Sequence, residues 1–249
     1  MKRISSIITA GIFVGTFAAS STAVDLSAGI KAGLGIANFK GSGVNVTGVV
    51  PYTNNSLLGA AGGCALNVKF TDIIGAEVDV LYSMKGSKAE GTNSWQGYDF
   101  NFPGVLLTIV TTAEQKYTIN YLDIPVLVKF LVPLQGRVKP AFFMGPSFNM
   151  LLSSKMNQVI DSSFFDSTGI TVIKAPVSID STMDRKSSSK PLDVGLVVGA
   201  SAEMEMGPGD VVVDVRYSFG LSDIYKKDSW LASLQNTHFA IMVGYNYKF

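Results

Sequence analysis

Apolar and polar residues alternate along eight segments of this chain, and this alternation restricts the fold more than any other feature. Successive side chains of a β-strand point to opposite faces, so a period of two predicts strands with one apolar and one polar face. Each segment has about 9 to 14 residues, whereas soluble strands average about 5–6 and a tilted membrane strand needs about 9–11. The segments lie at 26–36, 58–70, 74–85, 122–130, 138–152, 192–205, 211–220 and 238–249.

The composition agrees with strands that face a membrane. Hydrophobic residues make up 47% of the chain and charged residues only 16%, against roughly 25% in a typical soluble domain. The apolar residues form no block long enough for a transmembrane helix, so they must be spread along strands. A sheet in lipid has to close, because an open edge would leave backbone groups unpaired. The pattern therefore predicts an all-β fold, a closed eight-stranded antiparallel up-and-down transmembrane β-barrel.

The connections between the segments alternate in length. Short connections fall near 71–72, 133–137 and 207–210, and long ones cover 40–56, 86–115, 153–190 and 221–236. Bacterial outer-membrane barrels have short periplasmic turns and long extracellular loops. We therefore expect the long connections to lie outside the cell and both termini to lie on the periplasmic side.

The alternation alone does not say which face is outside. A soluble lipocalin-like carrier would put the apolar face inside, and a membrane barrel would put it outside. The polar face is rich in Gly, Ala and Ser, which suits a narrow interior. Aromatic residues gather near the strand ends of the apolar face, as in interfacial girdles. These are Phe70, Tyr82, Phe130, Tyr217, Phe219, Tyr245, Tyr247 and Phe249. The membrane orientation is favoured, and the carrier remains the alternative.

The charges on the polar face balance one another. The basic residues are Lys31, Lys69, Lys85, Lys129, Lys139, Arg216 and Lys248, and the acidic residues are Glu77, Asp79, Asp123, Asp193, Glu203, Glu205 and Asp214. Buried charges must be paired to be tolerated. We therefore predict a charge network inside the barrel. Its predicted members are Lys31, Lys69, Glu77, Asp79, Asp123, Lys129, Asp193, Glu203, Asp214 and Arg216.

The first 23 residues have the layout of a secretory signal peptide. Lys2 and Arg3 are basic, Ile4 to Ala19 is apolar with small residues, and Ser21-Thr22-Ala23 resembles a cleavage site. We expect cleavage after Ala23, so that residues 24–249 form the barrel domain. Export together with the barrel pattern predicts the cell outer membrane as the location.

Several segments resemble the PorT-like outer-membrane protein β-barrel family of Bacteroidetes-type, Gram-negative bacteria. The most specific are Tyr121-Leu122-Asp123-Ile124-Pro125-Val126 and Asp214-Val215-Arg216-Tyr217-Ser218-Phe219-Gly220-Leu221. Gly29 to Leu34, Leu81 to Gly86, Gly145-Pro146 and Val243 to Phe249 are also similar. The resemblance implies an outer-membrane barrel and no single activity. The loop at 86–115 is longer than is usual in such proteins.

The resemblance also implies a role for the aromatic C-terminus. Tyr245, Tyr247 and Phe249 lie on one face and resemble the signal that the barrel-assembly machinery reads in such proteins. The same side chains would also anchor the strand at the membrane interface. The two roles are compatible, and the resemblance makes the assembly machinery an expected partner during biogenesis.

Residues for catalysis are few. The chain has one histidine, His238, and one cysteine, Cys64, so a His/Cys metal cluster is excluded, and we expect no metal, cofactor or catalytic residue. Glu77 and Asp79 point to the same face, which suits a paired-carboxylate site or, as we favour, the charge network. A lipid-modifying enzyme based on His238 remains an alternative.

The expected function is a non-enzymatic structural or interaction role. Side chains can fill an eight-stranded interior, so no large pore is expected, and a small channel is a further alternative. The net charge of +1 gives no indication of nucleic acid binding. Outer-membrane lipid is an expected partner, and the aromatic residues in 86–115 and 153–190 suggest an extracellular partner for these loops.

Overall fold

Nine antiparallel strands form in the part of the chain described by the structure, a computed structural model covering residues 25–41, 53–99, 104–226 and 234–249. They are β1 (Asp25–Gly41), β2 (Thr53–Lys69), β3 (Ile74–Tyr98), β4 (Leu106–Leu131), β5 (Val138–Phe165), β6 (Val172–Asp184), β7 (Leu192–Met206), β8 (Gly209–Gly220) and β9 (Leu234–Lys248). The predicted signal peptide lies outside the described residues. Among the described residues, no helix has the length and apolar character needed to cross a membrane.

Eight of these strands close into a ring. The order around it is β1, β2, β3, β4, β5, β7, β8 and β9, and β9 pairs again with β1. At the closure Ile30 lies opposite Tyr245, and on its other side Ile30 lies opposite Cys64. The predicted closed eight-stranded antiparallel barrel is confirmed.

The apolar face is on the outside of the barrel. Ile30 is 71% exposed, whereas its neighbour Lys31 is only 3% exposed. The same alternation runs through β5, where Phe142 and Met144 are exposed and Ala141 and Phe143 are buried. A soluble barrel would show the opposite arrangement, so the lipocalin-like alternative does not fit this structure.

Tight turns connect the strands at one end of the barrel. Gly207 and Pro208 connect β7 to β8, and Gly207 has a φ of +64°, a conformation that favours glycine. In the β2–β3 turn, the Thr71 hydroxyl accepts hydrogen bonds from the amides of Ile73 and Ile74. The short connections are therefore at this end. Outer-membrane barrels have their short turns in the periplasm, so this is the periplasmic end.

The predicted long loops at 86–115 and 153–190 are mostly strand. β3 and β4 stay paired from Ile74 opposite Phe130 to Tyr98 opposite Leu106. β5 continues beside β4 as far as Phe165, and β6 adds to β5. Strands of this length exceed the bilayer. These long extracellular connections are therefore extended hairpins, because backbone pairing continues beyond the membrane, where lipid no longer imposes an apolar face.

Apolar side chains close the outer end of the barrel. The cluster consists of Phe39, Tyr117, Ile119, Tyr121, Met156, Ile224, Tyr225 and Leu234, with Leu151 packed against it. Ile224 and Tyr225 belong to the connection after β8, which folds into the mouth of the barrel. The polar interior is thereby covered on the extracellular side.

Candidate functional site

A network of ion pairs crosses the middle of the barrel. It joins residues of β1, β3, β4, β7 and β8. Its cations are Lys31, Lys129 and Arg216, and its carboxylates are Glu77, Asp79, Glu203 and Asp214. Every member except Glu203 is almost fully buried. All seven belong to the network predicted from the alternation.

Arg216 and Lys31 share their carboxylate partners. The Arg216 guanidinium donates to Asp214 at 2.7 Å and to Asp79 at 2.9 Å. Lys31 pairs with Glu77 and, at 3.3 Å, with Asp214. The guanidinium also lies 5.5 Å from the centre of the Phe143 ring. Shared partners of this kind offset the cost of burying charge in a narrow interior.

Lys129 extends the network toward the periplasm. Its Nζ lies 3.1 Å from Glu77 and 2.5 Å from Glu203, and it donates to the Asn67 side chain at 3.2 Å. Glu77 thus links Lys31 to Lys129, and the network becomes a cross-link between distant strands of the ring. This arrangement fixes the strands relative to one another.

Lys69, also predicted for the network, lies outside it. Its ammonium pairs with Asp72 at 3.1 Å, and its side chain is 37% exposed. Lys69 is the last residue of β2, so its side chain reaches the solvent at the turn. Alternation gave the correct face for this residue but did not give its depth along the barrel axis.

Two further predicted members form separate contacts nearer the outer end. Asp123 pairs with Lys85 at 2.8 Å. Asp193 accepts hydrogen bonds from the Ser222 hydroxyl at 2.5 Å and from the Asn236 amide at 3.2 Å. Lys85 was on the predicted polar face, but its partner could not be found from parity alone. The predicted single network is therefore divided along the axis.

A cavity of about 380 Å³ opens at the periplasmic end. Its rim carries the partly exposed pairs of Lys139 with Glu205 at 2.6 Å and of Lys248 with Asp210 at 2.9 Å. The Lys129–Glu203 pair also lines it. On the extracellular side of this pair, side chains fill the interior. The voids around His238 have volumes of only about 10 Å³.

His238 lies inside the barrel and is 4% exposed. Its Nε2 has no hydrogen-bond partner, and Ser147, Ser218, Asp123 and Asp193 line the small voids beside it. The histidine is covered by the outer cluster on one side and by the ion network on the other. Lipid cannot reach this nitrogen in the described arrangement. Among the described residues, no group of three or more His, Cys, Asp or Glu is placed to hold a metal ion.

The C-terminal aromatic residues lie at the periplasmic end of β9. Tyr247 and Phe249 are exposed, with ring centres 5.5 Å apart in an edge-to-face arrangement. The Tyr245 hydroxyl donates to the Met206 carbonyl oxygen at 3.1 Å. The amide of Phe249 donates to the Leu26 carbonyl oxygen at 3.1 Å, which connects the last residue to β1. The aromatic side chains are therefore held in place at the seam where the barrel closes.

An edge strand stands free beyond the barrel. In the described part of the chain, β6 pairs with β5 alone, and nearly all of its residues are exposed. Val172, Ile173, Val177 and Ile179 are each at least 45% exposed. Four strands, β3 to β6, form this outer sheet. In the sequence this segment belongs to the long connection 153–190, and no local pattern marks it as an edge strand.

Comparison with protein families agrees with the architecture. A family model described as outer membrane protein beta-barrel domain matches residues 17–226. No curated protein matches the chain. Among solved structures, Ail of Yersinia pestis, crystallised with the heparin analogue sucrose octasulfate, is 13% identical, with 90% of this chain and 99% of that chain covered and a TM-score of 0.32.

Two other solved structures are similar to the same degree. Neisserial surface protein A is 12% identical over 89% of this chain and 97% of that chain, with a TM-score of 0.37. OprG from Pseudomonas aeruginosa is 13% identical over 90% and 95%, with a TM-score of 0.36.

Proposed function

The chain belongs to the outer membrane protein beta-barrel domain family, and we propose that it is a non-enzymatic interaction protein of the outer membrane that binds an extracellular partner through its outer sheet. The observation that carries this proposal is the free edge of β6. A free edge presents unpaired backbone donors and acceptors to another chain. Extended peptides bind such edges by adding a strand, and neighbouring side chains give the specificity.

The position of β6 supports an extracellular partner. The strand pairs with the part of β5 between Lys155 and Phe165, beyond the outer rim of the barrel. Its apolar residues Val177 and Ile179 are exposed, although no lipid is expected at this height. Pro176 stands where the register with β5 shifts, between Ser162 and Phe164 of β5. From Val177 to Asp184 the register of β6 with β5 is regular, so the free edge of this part can pair with a further strand.

The interior supports a non-enzymatic role. Enzymes need a nucleophile or base that a substrate can reach. His238 is enclosed, and the carboxylates Glu77 and Asp79 are held by Lys31 and Arg216. The filled interior also argues against the channel alternative. The barrel then serves as a membrane anchor for the outer sheet.

Site-specific photo-crosslinking on intact cells tests this function. A photoreactive side chain replaces Val177 on β6 and, as matched control, Val213 on the lipid face of β8; the two residues are 45% and 42% exposed. We expect protein adducts from position 177 and only lipid adducts from position 213. Absence of protein adducts at 177, or the same adducts at both positions, would contradict the proposal.

Finer features of biogenesis are part of the proposal. The PorT-like segments around Asp123 and Arg216 support a place in that group of the family. We propose signal-peptide removal after Ala23, for which the mass of the mature chain should correspond to a start at Val24.

We also propose that the assembly machinery reads Tyr245, Tyr247 and Phe249. Deletion of Phe249 should then lower the amount of folded barrel in the outer membrane, and an unchanged amount would contradict recognition.

A further inference from the structure

The free edge of β6 presents the backbone groups of every second residue. The amide of Arg185, directly after β6, donates to the Ser154 carbonyl oxygen at 2.9 Å, so the backbone of this residue points toward β5. The register stays regular from Asp184 back to Val177, and the backbone groups of successive residues point to alternate sides of an antiparallel strand. The residues whose amide and carbonyl groups point to the free edge are therefore Ser178, Asp180, Thr182 and Asp184.

On the inner face of the outer sheet, the side chains along this edge are mostly apolar. Met183 lies opposite Met156, which packs in the cluster at the mouth of the barrel, so this face continues the barrel interior. Ile179 lies opposite Ile160 on the same face. Val177, Ile179 and Met183 are all exposed. A strand added to β6 would cover them, and apolar side chains on that strand suit this face because cross-strand neighbours pack together.

The outer face of the same edge is acidic. Asp180 of β6 and Asp161 of β5 are both exposed, and neither forms an ion pair within the part of the chain that the structure describes. Asp161 lies opposite Ser178, which makes the two aspartates diagonal neighbours, about 7–8 Å apart in such a sheet. Two unpaired carboxylates therefore lie side by side at the middle of the edge.

The lysines around these carboxylates are engaged elsewhere or lie at the ends of the edge. Lys88 pairs with two glutamates of the outer sheet. Lys174, near the tip, lies 5.2 Å from the centre of the Phe164 ring. Lys155 lies opposite Asp184, near the barrel rim. The middle of the edge therefore has a net negative charge and attracts a cationic side chain from a partner.

We propose that the free edge of β6 binds an extended peptide segment of an extracellular protein, added antiparallel, whose basic and apolar residues alternate. The basic side chains lie on the outer face, opposite Ser178, Asp180 and Thr182, and the apolar side chains lie on the inner face beside Ile179. This inference rests on the proposed function and gives the chemistry of its partner. Antiparallel addition continues the outer sheet, in which every pair of neighbouring strands is antiparallel.

Charge disfavours a second copy of this chain as the occupant. Pairing of two β6 edges would bring Asp161 and Asp180 of both copies to one face, and like charges at close range destabilise a sheet. A basic partner strand has no such cost, so the free edge favours a different protein.

Peptide binding to the full-length protein in phosphatidylcholine nanodiscs tests this chemistry, with empty nanodiscs as the blank. The probe is a capped peptide of alternating Val and Lys, as long as the regular part of β6 from Val177 to Asp184. Its matched control has Glu in place of Lys. We expect the Lys peptide to bind about tenfold more tightly at low salt, because its charges face the two free carboxylates.

The outcomes separate this inference from the proposed function. Equal binding of the Lys and Glu peptides would overturn the basic partner but leave β6 as an edge that accepts a strand. Binding of neither peptide would also overturn this inference, whereas protein adducts from position 177 on cells would still support the proposed function. Cross-links between two copies at position 177 that the Lys peptide does not prevent would assign the edge to a second copy and overturn the proposal.

Variants locate the charge effect. Asp180→Asn should weaken binding of the Lys peptide about threefold, the usual size for an exposed ion pair, and Asp161→Asn should weaken it further. Asp72→Asn is the matched control, because it removes the same charge from an exposed side chain in the β2–β3 turn at the periplasmic end. Asp180→Asn should leave the unfolding temperature unchanged. An unchanged affinity of the Asp161 and Asp180 double variant, or an equal loss with Asp72→Asn, would contradict the assignment.

N-methylation of the peptide tests the register. In the proposed arrangement the Lys residues lie opposite the β6 residues whose backbone points to the free edge, so the Lys amides donate to β6 and the Val amides point away. Methyl groups on the Lys amides should abolish binding, and methyl groups on the Val amides should not change it. Loss of binding from Val methylation instead, or no loss from either, would overturn antiparallel addition to β6.

Discussion

Glu77 is the residue that holds two halves of the interior network together. It faces Lys31 and Lys129, which are almost fully buried. Glu77→Gln should lower the free energy of unfolding by about 3–5 kcal/mol, the usual cost of breaking a buried pair on one side only. Urea unfolding of the reconstituted barrel, followed by tryptophan fluorescence, measures this loss.

Glu205→Gln is the matched control at the residue scale. Glu205 pairs with Lys139 and Lys248 at the periplasmic rim, where its side chain is 57% exposed and water screens the charges. We expect a much smaller loss of stability than for Glu77→Gln. Equal losses for the two variants would show that the buried network does not stabilise the barrel as a unit.

The inner charged residues show how much strand alternation can predict about the position of a side chain. Alternation placed Asp79, Asp214 and Arg216 on the inner face, and the structure brings these three together. It also placed Lys69 on that face but could not say that Lys69 ends its strand. Partners across the barrel depend on strand stagger, which leaves no local signal in the sequence.

At the scale of elements, the tip of the β5–β6 hairpin depends on Asp166. One carboxylate oxygen of Asp166 accepts hydrogen bonds from the Thr168 hydroxyl at 2.6 Å and from the amides of Thr168 and Ile170, each at 3.1 Å. The hydrogen bond from the Thr168 side chain, with those from the amides, lowers the pKa of Asp166 from 3.8 to about 2. A depressed pKa means that the folded tip favours the ionised carboxylate.

The hairpin tip should therefore lose order in acid. The contribution of Asp166 is fully present above its ordinary pKa near 3.8 and disappears as the pH falls through about 2. Amide hydrogen exchange at Ile170 should quicken, relative to its intrinsic rate, between these pH values. Asp166→Asn should remove this pH dependence, and a wild-type tip with no change in protection across the window would contradict the assignment.

The outer sheet is the part of the fold that the sequence pattern predicted least well. The segments 86–115 and 153–190 alternate weakly, because outside lipid both strand faces tolerate polar residues. The register shift at Asn120 and Tyr121 also leaves Leu152 as an extra residue in β5, which reverses the faces beyond it. Met156 therefore points inward, although its parity matches that of the lipid-facing Met150.

At the scale of the whole molecule, the ring closes by pairing β1 with β9, and no barrel edge remains exposed to lipid. Because each barrel strand is hydrogen-bonded on both sides, we expect the closed ring to resist SDS until it is heated. We expect the membrane-extracted protein to migrate differently in SDS gels with and without boiling. A protein released without detergent that shows no heat-dependent shift would contradict the membrane barrel.

The sequence by itself determined the barrel, its strand number and the face of nearly every residue in the membrane-spanning part, because lipid forces a strict period of two there. Only the tertiary structure decided how the inner charges pair, that β3 to β6 continue beyond the membrane, and that Ile224 and Tyr225 cover the mouth of the barrel. These features arise from strand stagger and from contacts between distant segments. Such contacts follow from closing the ring and are not encoded in any local pattern.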